Sequence, residues 1–277
     1  MSQSRQLQVR ITQMEEIRSI LNSMKNLALI EIHKLTRFQN TQRQSVDLIE
    51  QTATDYLAFY PGFPKTSVQT RTIALIVGAE RGFCGDFNES LLTTMAAQNY
   101  TGIIALGTRL HHRLEGHSLQ LIEAIPGANV AEEIPEVLAR VIDVLGQQHS
   151  EHQTLSLTVI HHDPLPNHIN VRQIMPPFEH CQPTKTGGHP PLLNLEPADF
   201  FAELIDHYLF AVLHEILYLS LMAENHRRLQ HLEAAIKHLD DHVVSLRRKS
   251  QIYRQEEITE EIEVILLNTE NSLTTNR

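Results

Sequence analysis

The stretch LQHLEAAIKHLDDHVVSLRRKSQIY, Leu229–Tyr253, decides the fold. Its apolar residues Leu229, Leu232, Ile236, Leu239, Val243 and Leu246 step three, four, three, four, three, and Ser250 and Tyr253 continue the spacing. That alternation draws one seam along a helix, the pattern of a coiled coil. After Tyr253 the register slips to Ile258, Ile262 and Ile265, a discontinuity that changes the winding locally. Further on, Ile262 and the run Val264-Ile265-Leu266-Leu267 place apolar side chains on every side of the helix. A helix that is apolar all round is normally buried, so something outside this chain is expected to surround the tip.

A matching arm stands at the other end of the chain. Leu7, Ile11, Met14, Arg18, Leu21, Lys25, Ala28, Ile32 and Leu35 alternate steps of four and three, and seven of these nine positions are apolar. A second stripe, Ile17, Ile20, Met24 and Leu27, widens the face and implies more than one neighbour for this helix. All 11 glycines and all 12 prolines lie between Pro61 and Pro197. Gly and Pro cost about 1 and 3 kcal/mol in a helix interior, so tracts without them favour long helices. Helices to about Tyr56 and from about Asp199 to Thr269 would run roughly 75 and 105 Å at the helical rise per residue. No globular core encloses helices of that length, and the expected arrangement is an antiparallel pair. The chain divides on this reading into a coiled-coil helix over 1–60, a central α/β domain over 61–197 and a second coiled-coil helix over 198–277.

In the middle the period changes. The runs Ile73–Ala79, Gly102–Gly107 and Leu155–His162 are short and β-rich, and they alternate with helical stretches at Asn88–Gln98 and Ala131–Gln148. Such alternation predicts a mostly parallel, Rossmann-like sheet. Ile169–Met175 alternates in polarity and fits an edge strand, and His180–Pro197 fits a loop leading into the second arm. The fold class is therefore α/β: a long antiparallel coiled coil of the terminal helices plus a central α/β domain.

Chemistry is harder to find. GAERGFCGDFN follows the first strand with Gly78, Gly82 and Gly85, but its spacing is neither GxGxxG nor GxxxxGK[ST]. A tight turn explains it better than a nucleotide site. Cys84, beside Arg81 in this turn, is either a reactive thiol or a small buried residue. The 17 histidines include the pairs His111-His112 and His161-His162, with His238 and His242 one helical turn apart, but no zinc-type pattern accompanies them. No metal, no cofactor and no catalytic grouping is expected. A formal charge of −10 argues against a nucleic-acid partner, and the local run Arg247-Arg248-Lys249 does not overturn that. Two cysteines are too few for a disulfide framework. The polar opening MSQSRQLQVRITQMEE has no signal-like apolar core, and Tyr208–Ala223, broken by His214 and Glu215, is short for a membrane span. Membrane contact is expected only through a complex.

Three blocks resemble the gamma subunits of F-type ATP synthases. RITQMEEIRSILNSMKNLA is similar to that family's opening helix, ERGFCGDFN to its Asp-Arg-Gly-Leu-Cys-Gly-Gly-Leu-Asn turn, and AENHRRLQHLEAA through RQEEITEEIEVI to its Ser-Glu-x-x-x-Arg segment and closing Arg-Gln-x-x-Ile-Thr-x-Glu signature. The resemblance implies a non-catalytic rotor shaft. Its partners would be three alpha and three beta subunits, an epsilon subunit and a ring of c subunits, with the ATP sites mainly on beta. It implies a peripheral position on the cytoplasmic face of a prokaryotic inner membrane. It also implies a contact set for the alpha/beta hexamer: Met24, Arg228, Arg254, Gln255 and Thr259, with Glu261, Ile262 and Ile265 on the tip.

Departures from the family pattern are Ser19 where a lysine is usual, Gln251 for an asparagine, Glu256-Glu257 for small residues, and the acidic balance. They point to a divergent branch, the alternative F-type ATPases. The competing reading is a stand-alone coiled-coil scaffold whose α/β head binds a protein partner or a nucleotide.

Overall fold

The computed structural model describes residues 3–60, 70–114, 120–148, 154–165, 168–179, 181 and 189–275. Helix α1 runs Gln3–Phe59 and helix α5 runs Pro197–Thr275, with 57 and 79 residues. Both are uninterrupted, as the absence of Gly and Pro requires, and the register slip after Tyr253 leaves α5 unbroken. Of the turn-rich tract before α5, residues 180 and 182–188 lie outside the described residues. Packing groups the chain into two units, one of Met1–Leu27 with Gln230–Arg277 and one of Ala28–Leu229.

In the first unit α1 and α5 lie antiparallel. Arg18 pairs with Asp240 at 2.6 Å, Glu15 with Arg247, and the Ser4 amide donates to Glu257 at 3.3 Å, so partners rise along α5 as they fall along α1. Ile11, Val243 and Leu246 form the buried seam, flanked by Leu7 and Met14, at the positions the heptad steps name. Burying three such side chains contributes on the order of 5–8 kcal/mol before ordering costs. The second stripe behaves differently, because Ile17, Ile20 and Leu27 stay exposed.

The second unit is built on a five-stranded sheet of order β3-β2-β1-β4-β5, comprising β1 (Thr70–Val77), β2 (Gly102–Leu106), β3 (Leu121–Ile125), β4 (Thr154–His162) and β5 (Ile169–Met175). β1 pairs in parallel with β2 and β4, β2 pairs in parallel with β3, and β5 closes the edge antiparallel to β4. β1 is buried on both faces, which is why it reads as a continuous apolar run. Ile73, Leu75 and Val77 join a core with α4 (Ile134–Gln148), the inner part of α1 and the first part of α5. Ala74 and Ile76 face the other way, against α2 (Phe87–Ala96) and α3 (Thr108–Leu114). β3 and α3 are additions to what the sequence pattern predicts. Ala131–Glu133 forms a short 3-10 turn ahead of α4.

One tie fastens the long helices to each other and another fastens both to the sheet. The Tyr56 hydroxyl donates to the Pro197 carbonyl at 2.6 Å, and its ring packs on Phe200 and Phe201. Arg172 on β5 reaches Glu50 of α1 at 2.8 Å and Glu215 of α5 at 3.3 Å. Pro197–Leu266 contains a window long and apolar enough, by length and composition, to cross a membrane. Nearly half of that window, 44%, is buried in the protein, and Tyr208, Val212 and Ile216 of this helix belong to the sheet's core.

Candidate functional site

The expected contact residues fall into two groups. Arg254, Gln255, Thr259, Glu261, Ile262 and Ile265 all lie on α5 in the first unit, and all are exposed. Arg254, Glu261 and Ile265 share a stripe with Ile258, in steps of four, three and four. Gln255, Thr259, Ile262 and Leu266 form the adjacent stripe. The Thr259 hydroxyl donates back to the Gln255 carbonyl at 2.9 Å, which leaves the stripe's outer surface to its apolar members. Val264, on a separate side, is also exposed, while Thr259, Glu260 and Glu263 occupy the side between, so among the described residues the tip carries a broad apolar face rather than apolar groups on every side. Met24 is half-buried on α1 of the same unit.

Arg228 is placed elsewhere, and its expected role as a surface contact does not fit its position. It lies in the second unit, 4% exposed. Its guanidinium pairs with Glu224, donates to Asn225 Oδ1 at 2.7 Å and to the Gly82 carbonyl at 3.3 Å, and reaches the Cys84 sulfur at 3.7 Å. The physical reason is that the β1–α2 turn folds over this face of α5. Helical periodicity marks which residues share a face, but not whether a loop covers it.

That turn is the tight, close-packed one. A Cβ on Gly78 would meet the Leu110 Cβ at 2.5 Å, and Gly85 sits at φ 61 in the left-handed region. Three amides at the start of the turn are already engaged. Ala79 N–H donates to Asn88 Oδ1, and Glu80 and Arg81 N–H donate to the Glu224 carboxylate at 3.2 and 3.1 Å. The cavity beside them, lined by Val77, Leu106, Ser220 and Glu224 among others, is about 20 Å³, room for one water. Burial pushes the Cys84 thiol up to about 12, with the Glu224 charge adding to it, so the side chain is an inert buried group.

Glu224 is the glutamate of the segment that resembles Ser-Glu-x-x-x-Arg, one helical turn from Arg228, but nothing in the sequence assigned it a role. Glu80 was missed too. Its carboxylate accepts from Thr108 N–H at 2.8 Å and Gly127 N–H at 2.7 Å, holding two neighbouring loops.

His161 and His162 serve structure. His161 is 1% exposed and its Nδ1 lies 3.0 Å from the His162 carbonyl; burial pushes it down to about 4. His162 Nε2 lies 2.9 Å from the Phe87 carbonyl, which requires the proton on that nitrogen. Among the described residues, no three His, Cys, Asp or Glu side chains converge as a metal site would require.

The helical pair carries an exposed apolar face at its tip, and the sheet unit closes its glycine-rich turn with its own carboxylate. The family model for ATP synthase matches residues 3–268. The chain belongs to that family, as a gamma subunit. Among solved structures it is similar to a chain of the Euglena gracilis mitochondrial ATP synthase OSCP/F1/c-ring, rotational state 3, at 14% identity and a TM-score of 0.69, covering 99% of this chain and 96% of that one. It is also similar to a chain of the same organism's rotor in rotational state 1, at 14% identity and a TM-score of 0.62, covering 92% and 98%. A third likeness is to the Tetrahymena thermophila mitochondrial ATP synthase central stalk/c-ring, at 16% identity and a TM-score of 0.56, covering 78% and 99%. No protein of curated function matches by sequence. These three solved structures are mitochondrial, which lends no support to a prokaryotic inner membrane.

Proposed function

We propose that this chain is the central shaft of a rotary ATP synthase, carrying rotation from a membrane ring of c subunits to catalytic sites on an alpha/beta hexamer. The observation that carries the reading is the exposed, broad apolar face at the tip of α5. Surface of that kind marks a partner site, and Val264, set apart from the main apolar face, extends it to a second side of the helix. A single shaft inside a threefold ring presents a different face to each site. Turning it biases each site toward a different state by differential contact. In this scheme catalysis belongs to the partner subunits, the sheet unit meets the epsilon subunit and the ring, and membrane association comes through the complex.

Arg254, Gln255 and Thr259 are the polar contacts to the catalytic subunits. Charge-assisted hydrogen bonds from Arg254 would hold a carboxylate-bearing loop in one rotational state and release it in the next. Glu261, Ile262 and Ile265 line the tip's bearing surface, and Met24 faces the same region. The test is co-purification: the chain should travel with three alpha and three beta subunits per copy. Within that complex, replacing Arg254 and Gln255 by Ala should lower coupled synthesis. Wild-type rates of both synthesis and hydrolysis in that variant would sink the contact assignment. The scaffold reading gains nothing from the closed turn at Gly78–Asp86.

A further inference from the structure

Glu224 and Arg228 lie apart from the tip surface, yet together they contact the β1–α2 turn at four residues. Glu224 accepts from the amides of Glu80 and Arg81, and Arg228 holds the Gly82 carbonyl and the Cys84 sulfur. Taking an ion pair out of water is costly unless its remaining hydrogen-bonding capacity is filled, and here Asn225 and the turn backbone fill it. The turn they hold is not one the chain adopts readily. Phe83 sits at φ 65, a left-handed conformation rare for a bulky residue, and the residue is 53% exposed, so its own packing does not hold it there. Ser220 adds a hydrogen bond from α5 to the Val77 carbonyl, at the end of β1, at 3.3 Å. Leu229, the residue after Arg228, is the last of the sheet unit along α5.

We propose that Glu224 and Arg228 form a coupling latch, fastening the Gly78–Asp86 turn, and through it the C-terminal end of β1, to the last turn of α5 before that helix leaves the unit. Torque on α5 then reaches the sheet through hydrogen bonds to backbone and through a buried ion pair, rather than through apolar contacts that can slide. Both are positioning residues, since neither touches a partner subunit in this scheme. The coupling role rests on the shaft reading; the latch itself rests on this chain alone.

The test uses the full chain with Cys181→Ser, so that Cys84 is the reporting thiol, and a maleimide probe under native conditions. The wild-type turn should label slowly. Glu224→Gln should speed Cys84 labelling by about tenfold or more, as local opening of the turn becomes easier. The double variant Glu224→Gln/Arg228→Met removes both charges, so its melting temperature should return toward wild type. Its labelling should stay fast, because the amides of Glu80 and Arg81 still lack their carboxylate. Wild-type labelling rates in Glu224→Gln, or slow labelling regained along with stability in the double variant, would overturn the latch.

A measurement on the wild type needs no variant to fold. The amides of Glu80 and Arg81 should be as protected from hydrogen exchange as those of residues 220–228, and free exchange there would also overturn it. In the assembled complex the double variant should pump fewer ions per ATP hydrolysed. An unchanged ratio alongside fast labelling would refute the coupling role. Failure of the wild-type chain to assemble with alpha and beta subunits would instead refute the shaft reading and the coupling role with it, while the labelling rates still decide the latch.

Discussion

Replacing Ile258, Ile262 and Leu266 together by Gln should separate the tip's binding role from any role in folding. In the chain alone these side chains are 48%, 52% and 60% exposed. About half of each is therefore already out of water, and half remains to be covered by a partner. Full burial of such a side chain is worth about 1.5–3 kcal/mol, so the uncovered half carries about 1 kcal/mol apiece. The three together come to about 3 kcal/mol, or about a hundredfold in dissociation constant. Gln is nearly as good a helix former as Leu, and exposed substitutions away from packing features usually change stability by less than about 0.5 kcal/mol. The assay is titration of the chain into a preformed alpha/beta assembly, read by sedimentation or light scattering, with thermal melts in parallel. Weakened binding with unchanged melting is the expected result. Unchanged binding would refute the enclosed-tip reasoning, and a fall in melting temperature with unchanged binding would show that the tip is part of this chain's own core.

Two further outcomes concern the sheet unit. Because burial holds His161 near 4 in the folded state against an ordinary value of 6.5, the unfolded chain binds the extra proton between those values. Its contribution is complete above pH 6.5 and is lost as pH falls toward 4, about 3 kcal/mol in all; His161→Gln should flatten this part of the slope in urea melts at pH 7 and 4.5. An unchanged slope would show that other groups carry the acid sensitivity. Arg172→Met leaves Glu50 and Glu215 facing each other, 23% and 12% exposed, and should cost about 2–3 kcal/mol in urea unfolding at pH 7. Adding Glu50→Gln and Glu215→Gln should recover most of that loss, and a triple variant no better than the single would mean that Arg172 acts through packing alone.

The legible parts of this fold are those governed by short-range physics. The bounds of α1 and α5 follow from where Gly and Pro are permitted, and the seam through Ile11, Val243 and Leu246 follows from heptad spacing. β1 announces itself because it is buried on both faces. β3 escaped notice for the opposite reason: it is a five-residue edge strand with only Ile125 fully buried, so it leaves a faint apolar signature. The tip was readable from its run of apolar residues, and in the structure Ile258, Ile262, Val264, Ile265 and Leu266 remain exposed, mostly on one broad face. Arg228 was misplaced because burial by a loop more than 140 residues away in sequence is a tertiary event. The same holds for Glu224, whose spacing to Arg228 is equally common on solvated helices.

The antiparallel pairing of the chain's first and last segments has a consequence for its synthesis. Arg18 and Asp240 meet, yet roughly 220 residues separate them. At about 5–20 residues per second, a ribosome takes about 10–45 s to cover that distance. Throughout this interval α1 carries Ile11 and its neighbouring apolar positions with no mate yet made. The nascent chain must therefore be shielded by chaperones or by the growing sheet unit until its final segment emerges, and slowing translation through the middle of the message lengthens that exposure without altering a single residue.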